Sequence, residues 1–370
     1  MALGENMRKL ISILVAIMFV ASLVLASAAN GDIVWSKIYS SNDWQSYGVA
    51  TDLQNNVIVT GFSGSNYLII KYDSNGNLVW PTGVIGPPGT AHDVATDSQN
   101  NIVVTGDNGT VKYNSNGNYI WDNPYSGTAY AVTIDSKNNV IVAGSAGIIK
   151  YDSNGNILRQ IDYIGIAYGV AVDSQNNIVV TGVASNDFYT VKFDPNGGIL
   201  WQKIFDSGDI DYSPGVAIDS LNNVIVSGYA EDPINGYASV TVKYSSSGAE
   251  IWNVIDNTGG RWSYDVAVDT YNNIFITGGK YDPYPYYQYL TVKYDPNGKN
   301  VWERKYDFSN DYDDSYDIAI DYQNNIIVTG YVYNNSQYDY LTIKYQGVPP
   351  RSKYLPISKI LEILKRNKAK

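Results

Sequence analysis

One histidine and a few carboxylates are the side chains of this sequence with the greatest capacity for acid–base chemistry. His92 is the only histidine in 370 residues, and the chain contains no cysteine. Thiolate catalysis, cysteine-based zinc sites, disulfide bonds and multi-histidine metal sites are therefore excluded. Asp93, Asp265 and Asp317 occupy one position in three sequence repeats, and they are the acids that a glycoside hydrolase or polysaccharide lyase could use. A general base needs an oriented partner, and the sequence supplies no triad for His92.

Aromatic side chains recur just before the opening phrase of each repeat, such as GVATD at Gly48. The residue before this phrase is aromatic in six of the seven repeats and is Pro214 in the other. The six candidate ligand-binding residues are Tyr47, His92, Tyr130, Tyr168, Tyr264 and Tyr316. Rigid aromatic faces with hydroxyl groups suit sugar rings or peptide side chains. The alternative is that these tyrosines only pack between repeats, since the chain has 34 tyrosines.

A second aromatic group lies late in the chain. Trp262 follows Arg261, and the segment 281–287 contains Tyr284 and Tyr286 between prolines and other tyrosines. Prolines lower the entropy cost of ordering a loop, and exposed tyrosine is favoured at protein and glycan interfaces. We expect Trp262, Tyr284 and Tyr286 to contribute to ligand binding.

Two acidic segments are the only candidates for a metal ion. One contains Asp206, Asp209 and Asp211, and the other runs from 307 to 314. Hard oxygen ligands in a flexible loop could hold calcium, but neither segment matches an EF-hand. Acid exposed to solvent is the alternative. We therefore predict no cofactor, with calcium as the one open possibility.

The repeat itself predicts the fold. Seven phrases of the form V-x-x-D-x-x-N-N-x-x-x-x-G, with Ile for the first Val in the last phrase, recur at spacings of 38 to 52 residues, which is the length of a propeller blade. Each unit has four short β-patterns. The Asn-Asn pair and the D-x-N-G phrase indicate tight turns, and the run after Asn-Asn is β-branched, as in a strand buried on both faces. The sequence predicts an all-β, seven-bladed β-propeller of four-stranded blades.

The two ends of the repeat array predict how the ring closes. The seventh unit ends at Tyr345 without a fourth strand, whereas the segment 31–35 reads GDIVW, like the fourth strands of other units. We expect the N-terminal strand to complete the last blade. Because they recur in every blade, the third-strand lysines are expected to be architectural and to pair with carboxylates or carbonyls between blades.

The units resemble the secreted prokaryotic β-propeller repeats called SBBP repeats, which read VAVD-x-x-x-N-x-x-V-T-G followed by K-x-D-x-x-G. The resemblance covers residues 31–345 and implies an extracytoplasmic propeller; most members of that family have no assigned chemistry. The D-x-x-G-x-x-x-W phrase at Asp73, Gly76 and Trp80 is loosely similar to the tryptophan-docking phrase of quinoprotein dehydrogenases. Its spacing is one residue short, and the count is seven rather than eight, so no quinone cofactor is predicted.

The chain ends predict export and a basic tail. Residues 1–28 have a basic pair, an apolar run and A-S-A, which indicate a secretory signal peptide; an uncleaved anchor is the alternative. Residues 29–346 form the propeller. Residues 347–370 form a basic, amphipathic tail that could contact a membrane or envelope, or be solvated.

Between 31 and 345 there are 16 basic and 34 acidic residues, a net charge of −18, which argues against nucleic acid as a partner.

These observations favour a secreted or cell-surface binding or scaffold protein, expected to be monomeric. It would recognise a protein or a surface glycan through the face that carries the variable second-to-third strand loops and the blade links. Blades five to seven, where the loops are longest, are the candidate for the most specific contacts. The alternative is a polysaccharide lyase or glycoside hydrolase that uses carboxylates at the channel mouth. No catalytic residue is assigned for the binding role.

Overall fold

Twenty-eight antiparallel strands form seven four-stranded sheets in the computed structural model of this chain. The structure describes residues 31–40, 45–206, 211–232, 234, 236–281, 286–308, 311–334 and 337–348. The predicted signal peptide, almost all of the predicted tail and Tyr284 lie outside these residues. The described residues contain no helix that could cross a membrane. The prediction of a seven-bladed β-propeller is confirmed.

Each blade is a sheet whose first strand lines the centre and whose fourth strand lies outermost. In chain order the strands are β1 Ile33–Tyr39, β2 Ser46–Thr51, β3 Val57–Ser63, β4 Asn66–Tyr72, β5 Val84–Pro88, β6 Ala91–Thr96, β7 Ile102–Gly106, β8 Gly109–Tyr113, β9 Tyr119–Asn123, β10 Ala129–Ile134, β11 Val140–Gly144, β12 Gly147–Tyr151, β13 Ile157–Ile161, β14 Ile166–Val172, β15 Ile178–Ala184, β16 Asp187–Phe193, β17 Ile199–Phe205, β18 Asp211–Ile218, β19 Val224–Asp232, β20 Gly236–Tyr244, β21 Glu250–Asp256, β22 Arg261–Val268, β23 Ile274–Tyr281, β24 Tyr287–Tyr294, β25 Asn300–Tyr306, β26 Asp313–Ile320, β27 Ile326–Asn334 and β28 Gln337–Tyr345. Blades one to six are consecutive groups of four from β2 to β25. Blade seven has the order β1-β28-β27-β26.

A buried aspartate organises the turn between the first two strands of every blade. In blade one, Asp52 Oδ1 accepts hydrogen bonds from the backbone N–H groups of Gln54 and Asn56. Asp52 Oδ2 accepts one from the Asn56 side-chain amide. The same three bonds recur in the other six blades. Asn55 and its six counterparts adopt φ of 61–63°, so the predicted tolerance of positive φ is confirmed.

The first asparagine of each pair also joins neighbouring blades. Its Oδ1 accepts the N–H of a turn residue in the preceding blade at 2.9–3.2 Å, in all seven places. The bond from Tyr322 N–H to Asn55 Oδ1 joins blade seven to blade one at 2.9 Å. These side chains therefore form a closed circle of hydrogen bonds on one face, called here the turn face.

The repeated lysines neutralise the turn aspartates. Lys71 Nζ lies 2.9 Å from Asp52 Oδ2 in its own blade and 3.3 Å from the carbonyl oxygen of Ser115 in the next blade. Equivalent ion pairs at 2.8–2.9 Å occur in five further blades. The expectation of carboxylate pairing between blades is wrong, because the long lysine side chain spans the sheet of its own blade. The expectation of carbonyl contacts between blades is confirmed.

The tryptophans of the fourth strands dock on the next blade. Trp121 Nε1 donates to the carbonyl oxygen of Ser153 at 3.1 Å, and Lys112 Nζ donates to the same oxygen. Gly155 in that turn has φ of 89°, and a Cβ there would lie 3.0 Å from the Trp121 ring. Glycine is therefore required both by its backbone conformation and by the docked ring.

The N-terminal strand closes the ring as predicted. β1 pairs antiparallel with β28 from Ile33↔Tyr345 to Tyr39↔Tyr340. The N–H of Gln346 donates to the Asp32 carbonyl oxygen at 2.7 Å, which extends the pairing by one further bond. The first and last blades are thus held by backbone hydrogen bonds, which suits a propeller without disulfide bonds.

Two local features differ from the repeat pattern. The fourth strand of blade one is Val84–Pro88 and lies after Trp80, because Leu78 makes only a single bridge and the chain turns at Gly83. The long loops expected in blades five and six are largely paired strand, since β19 and β20 pair out to Asp232↔Gly236. The hairpins of blades five to seven therefore stand higher than those of blades two and three, whose middle strands have five residues each.

Candidate functional site

Every inner strand has a β-bulge at the position of the predicted binding residue. In blade one, Ser46 pairs with Gly61 and Gly48 pairs with Thr60, so Tyr47 is the extra residue. The same irregularity occurs in the inner strands of the other six blades. A bulge redirects the side chain of its extra residue and occurs often at the rims of closed β-structures. The bulges explain why one sequence position turns toward the channel in each blade.

The bulge residues meet around the central channel. Neighbouring rings have centroids 4.9–5.8 Å apart and are tilted rather than parallel. In order around the channel they are Tyr168, Tyr130, His92, Tyr47, Tyr316 and Tyr264. The structure therefore brings together all six residues that the repeat position predicts. Contacts at these distances are favourable between aromatic rings, so the side chains support one another.

Two tyrosines that the sequence argument missed complete the circle in blade five. Pro214 stands at the bulge there, and the gap between Tyr168 and Tyr264 is filled by Tyr212 and Tyr229. Tyr229 lies 5.9 Å from Tyr264 and 5.3 Å from Tyr212, measured between ring centroids. Seven tyrosines and one histidine thus surround the channel. We call these eight residues the aromatic collar.

The collar encloses a cavity of about 520 Å³, within the range that holds small-molecule ligands. Valine, isoleucine and glycine residues of the inner strands line the rest, together with three half-buried carboxyl groups. Asp93 accepts the N–H of Val94 at 2.6 Å and that of Val132, in blade three, at 2.7 Å. Asp317 accepts the N–H of Val49, in blade one, at 2.5 Å. Asp265, Asp93 and Asp317 are called here the channel acids.

The channel acids resist ionisation. Burial raises the pKa of Asp265 well above its ordinary value, and the Asp317 carboxyl raises it further. Burial and the Asp317 carboxyl likewise raise the pKa of Asp93 well above its ordinary value. Burial also raises the pKa of Asp317, although a hydrogen bond from the Asp265 side chain opposes the shift. The hydrogen bond between the two side chains favours the protonated form of Asp265 and the ionised form of Asp317, and the two titrate as one coupled pair.

The turn aspartates show the opposite behaviour with the same residue type. Burial by itself would raise the pKa of Asp97, but the Lys112 ammonium and the Asn101 amide hold it below its ordinary value. The fold thus neutralises its architectural carboxylates with lysine. The channel acids instead accept hydrogen bonds from backbone N–H groups, and the side chains of Asp265 and Asp317 bond to each other. Strongly perturbed groups in a cavity are the usual mark of a functional site.

His92 has an oriented partner that the sequence did not reveal. Its Nε2 lies 2.9 Å from Oδ1 of Asp107, which follows strand β7. Asp107 also accepts the N–H of Thr90 at 2.9 Å. Burial acts to raise the pKa of Asp107, but the bonds from His92 and Thr90 hold it below its ordinary value. His92 therefore has one oriented partner, in a pair rather than a triad. The 15-residue separation across a short hairpin concealed the pair.

The later aromatic group lies outside the collar. Trp262 is buried, and its indole N–H donates to the buried Asp314 carboxylate at 3.2–3.3 Å. It stands behind Tyr264 as a supporting residue. Tyr286 is 39% exposed and packs on Tyr312, with ring centroids 5.5 Å apart. The predicted contribution of Tyr284 concerns a residue outside the described part of the chain.

The two acidic segments differ in structure. Carboxylate oxygens of Asp206 and Asp211 lie within 4.8 Å of one another and of Asp187, an acid that the sequence argument did not include. Asp209 lies outside the described residues. In the other segment, Asp313 and Asp314 are buried and accept backbone N–H groups, so they are not solvent-exposed acid.

Comparisons with known proteins establish the fold and nothing finer. No protein-family model matches the chain, and no curated protein matches it. A catalytically inactive histidine-to-alanine variant of virginiamycin B lyase from Staphylococcus aureus, solved with quinupristin, has a TM-score of 0.58 at 12% identity, covering 84% of this chain and 99% of that one. The extracellular domain of a protein assigned as a hybrid two-component system of B. thetaiotaomicron has a TM-score of 0.56 at 13% identity. That match covers 85% of this chain and 39% of the other.

The raised pKa of Asp265 predicts how stability depends on pH. A carboxyl whose folded pKa exceeds its unfolded pKa stabilises the fold fully below the unfolded pKa, and this contribution is lost as the pH rises through the folded pKa. Asparagine mimics the protonated acid, because its amide can donate to Asp317. We expect Asp265→Asn to raise the free energy of unfolding at about pH 8 and to change it little at about pH 4. Urea unfolding at both pH values measures this.

The matched control is Asp32→Asn, which removes the same charge from an exposed residue at the outer edge of blade seven. It should leave the pH dependence of stability unchanged. An Asp265→Asn variant that is equally destabilised at both pH values would show that the ionised carboxylate is needed for folding.

Proposed function

We propose that this protein is a non-catalytic, extracytoplasmic binding protein that holds a glycan in the central cavity of its propeller. The observation that carries the proposal is the closed aromatic collar around a cavity of about 520 Å³. The bulge position of the collar is tyrosine in five blades, His92 in blade two and Pro214 in blade five, so the sevenfold symmetry is not exact there. A residue present in all seven blades serves the architecture, whereas the collar and the channel acids differ between blades.

The chemistry of the collar suits saccharides. Tyrosine offers an apolar ring face for the C–H face of a sugar and a hydroxyl that both donates and accepts hydrogen bonds. Burial, with a smaller contribution from Asp107, raises the pKa of Tyr47 to about 12. Burial also raises the pKa of Tyr168 and Tyr264. The phenols therefore stay neutral donors at any physiological pH.

The shape of the mouth favours a glycan over a folded partner. The collar surrounds a cavity that opens to solvent, and the middle strands of blades five to seven are longer than those of blades two and three. A chain end or a side branch of a polysaccharide can enter such a cavity from the low side, past His92 and Tyr130. A globular protein would have to insert a loop to reach the same rings, so protein recognition is the weaker form of the binding role.

The location of the protein is part of the proposal. The apolar N-terminal segment, the resemblance to secreted SBBP repeats and the extracellular domain among the structural neighbours support an extracytoplasmic, monomeric propeller. The described part of the chain ends on the turn face, where Gly347 N–H donates to Asn325 Oδ1 and Asn324 donates to the carbonyl oxygen of Val348. A basic tail that contacts an anionic envelope from there would leave the collar facing away from it.

Truncating two neighbouring collar residues tests the proposal. Tyr130 and Tyr168 have ring centroids 4.9 Å apart and belong to blades three and four. We expect Tyr130→Ala and Tyr168→Ala each to weaken binding of a glycan identified on a polysaccharide array about tenfold or more, because each removes a central aromatic contact. Titration calorimetry with the expected mature protein, residues 29–370, measures the dissociation constant.

Tyr322→Ala is the matched control, since this tyrosine is 59% exposed on the opposite, turn face. Its affinity should match that of the unaltered protein. Equal losses in the control and in the collar variants, or none in either, would place the glycan elsewhere and contradict the proposal.

A second candidate function is a lyase that uses His92 as the base. The observation in its favour is the bond from His92 to Asp107, because a carboxylate that orients an imidazole is typical of general-base sites. A propeller lyase stands among the structural neighbours. A glycoside hydrolase fits less well. Asp265 and Asp317 are hydrogen-bonded to each other, whereas hydrolase carboxyls stand roughly 5–9.5 Å apart.

The cavity electrostatics oppose the lyase. Elimination from a uronic acid develops an enolate, which needs a cation or several strong donors for stabilisation. The described residues that line the cavity include three aspartates and neither lysine nor arginine. We therefore expect no unsaturated product when uronate polysaccharides are incubated with the protein and followed by ultraviolet absorbance. Turnover that His92→Gln and Asp107→Asn abolish, with glycan affinity retained, would replace the binding role by catalysis.

A further inference from the structure

The central cavity has no internal counter-charge for its carboxyl groups. Of the described residues that line it, Asp93, Asp265 and Asp317 bear carboxyl groups, His92 bears an imidazole, and the others are tyrosines or apolar residues. None of the ion pairs among the described residues includes a channel acid. The one histidine is already paired with Asp107 at the rim. The described residues that line the cavity therefore offer the channel acids no cationic partner.

The channel acids occur in only three of the seven blades. Their position in the repeat is occupied by Gly48, Ala131, Gly169 and Gly215 in the other four blades. Those blades have the same inner strand and the same bulge without a carboxyl group. Three blades thus place an acid in the channel wall, where it accepts a backbone N–H group of the next blade, at a position that is small in the other four.

Ionising these acids without a nearby cation costs free energy. Burial, and the proximity of the carboxyls to one another, disfavour their ionised forms. Six turn aspartates of the same chain each have a lysine at 2.8–2.9 Å. Buried acids in a cavity whose ionisation is disfavoured are typical of functional sites. A cation supplied by the ligand would relieve both the desolvation and the repulsion.

The collar is equally suited to a cation. An ammonium group is attracted to the face of a tyrosine ring, and this attraction is strongest where water is excluded. The net charge of −18 between residues 31 and 345 draws cations toward the propeller as a whole.

We propose that the ligand is a saccharide with an unsubstituted amino group, and that its ammonium lies against the collar and beside the channel acids. This inference rests on the proposed glycan-binding function and names the chemical class of the glycan. The sugar ring stacks on tyrosine, and Asp93, Asp265 and Asp317 supply the counter-charge. Acetylation of the amine removes the charge and adds bulk, so an N-acetylated saccharide is excluded from tight binding.

Titration calorimetry with three tetramers tests this directly: one of glucosamine, one of N-acetylglucosamine and one of glucose. We expect the glucosamine tetramer to bind at least tenfold more tightly than the other two. Asp265→Asn should lower its affinity at least tenfold and leave binding of the glucose tetramer within twofold. Asparagine keeps the acceptor for the backbone N–H groups, so loss of fold does not explain the effect. Asp32→Asn, which changes the net charge equally, should leave all three affinities unchanged.

The outcomes separate this inference from the proposed function. Equal affinity for the three tetramers, with losses in Tyr130→Ala and Tyr168→Ala, would overturn the inference and leave glycan binding in place. Absence of binding by all three, together with an empty polysaccharide array, would overturn both. A trilysine peptide that binds when the glucosamine tetramer does not would also overturn the inference, because the ammonium would then belong to a protein ligand.

Discussion

The buried carboxylate at the end of each inner strand is the interaction on which this propeller depends. Asp52 and its six counterparts fix the first turn of their blades by accepting two backbone N–H groups and an asparagine amide. In six blades a lysine from the third strand neutralises the charge, and five of these lysines also donate to a carbonyl oxygen in the next blade's turn within the described residues. The adjacent asparagine joins that turn to its neighbour. One local motif therefore ends the inner strand, links two strands within the blade and connects successive blades of the ring.

This repeated motif fixes one end of each inner strand. The side chains at the other end, near the bulge, can therefore differ between blades. The neighbouring inner strands approach closely there: a Cβ on Gly48 would lie 2.8 Å from the Cα of Asp93, and one on Gly215 would lie 2.7 Å from that of Asp265. Bulges in all seven strands turn one residue each into the channel, where tyrosine fills the space without closing it. The same fold thus contains turn aspartates that pair with lysine and channel acids that have no lysine partner.

Local patterns were sufficient to predict the architecture. The Asn-Asn turns, the D-x-N-G phrases and the missing fourth strand near Tyr345 each specify a short-range backbone geometry, and sevenfold repetition removes ambiguity. The aromatic position before the opening phrase was found for the same reason. Contacts between different elements were not predictable. The gap at Pro214 is filled by Tyr229 from the neighbouring strand, and the bond from His92 to Asp107 depends on the length of a hairpin. Trp262 is buried because the hairpins around it are paired rather than looped.

The fold gives the channel acids no cationic partner, and the proposed ligand supplies an ammonium group beside them. Proton release on binding measures this most directly, because a nearby ammonium lowers the pKa of a protonated carboxyl. Calorimetry of the glucosamine tetramer at about pH 6, in two buffers of different ionisation enthalpy, gives the number of protons exchanged. The account predicts that protons are released on binding and that the release is smaller in Asp265→Asn. Binding without proton exchange, or with proton uptake, would contradict it.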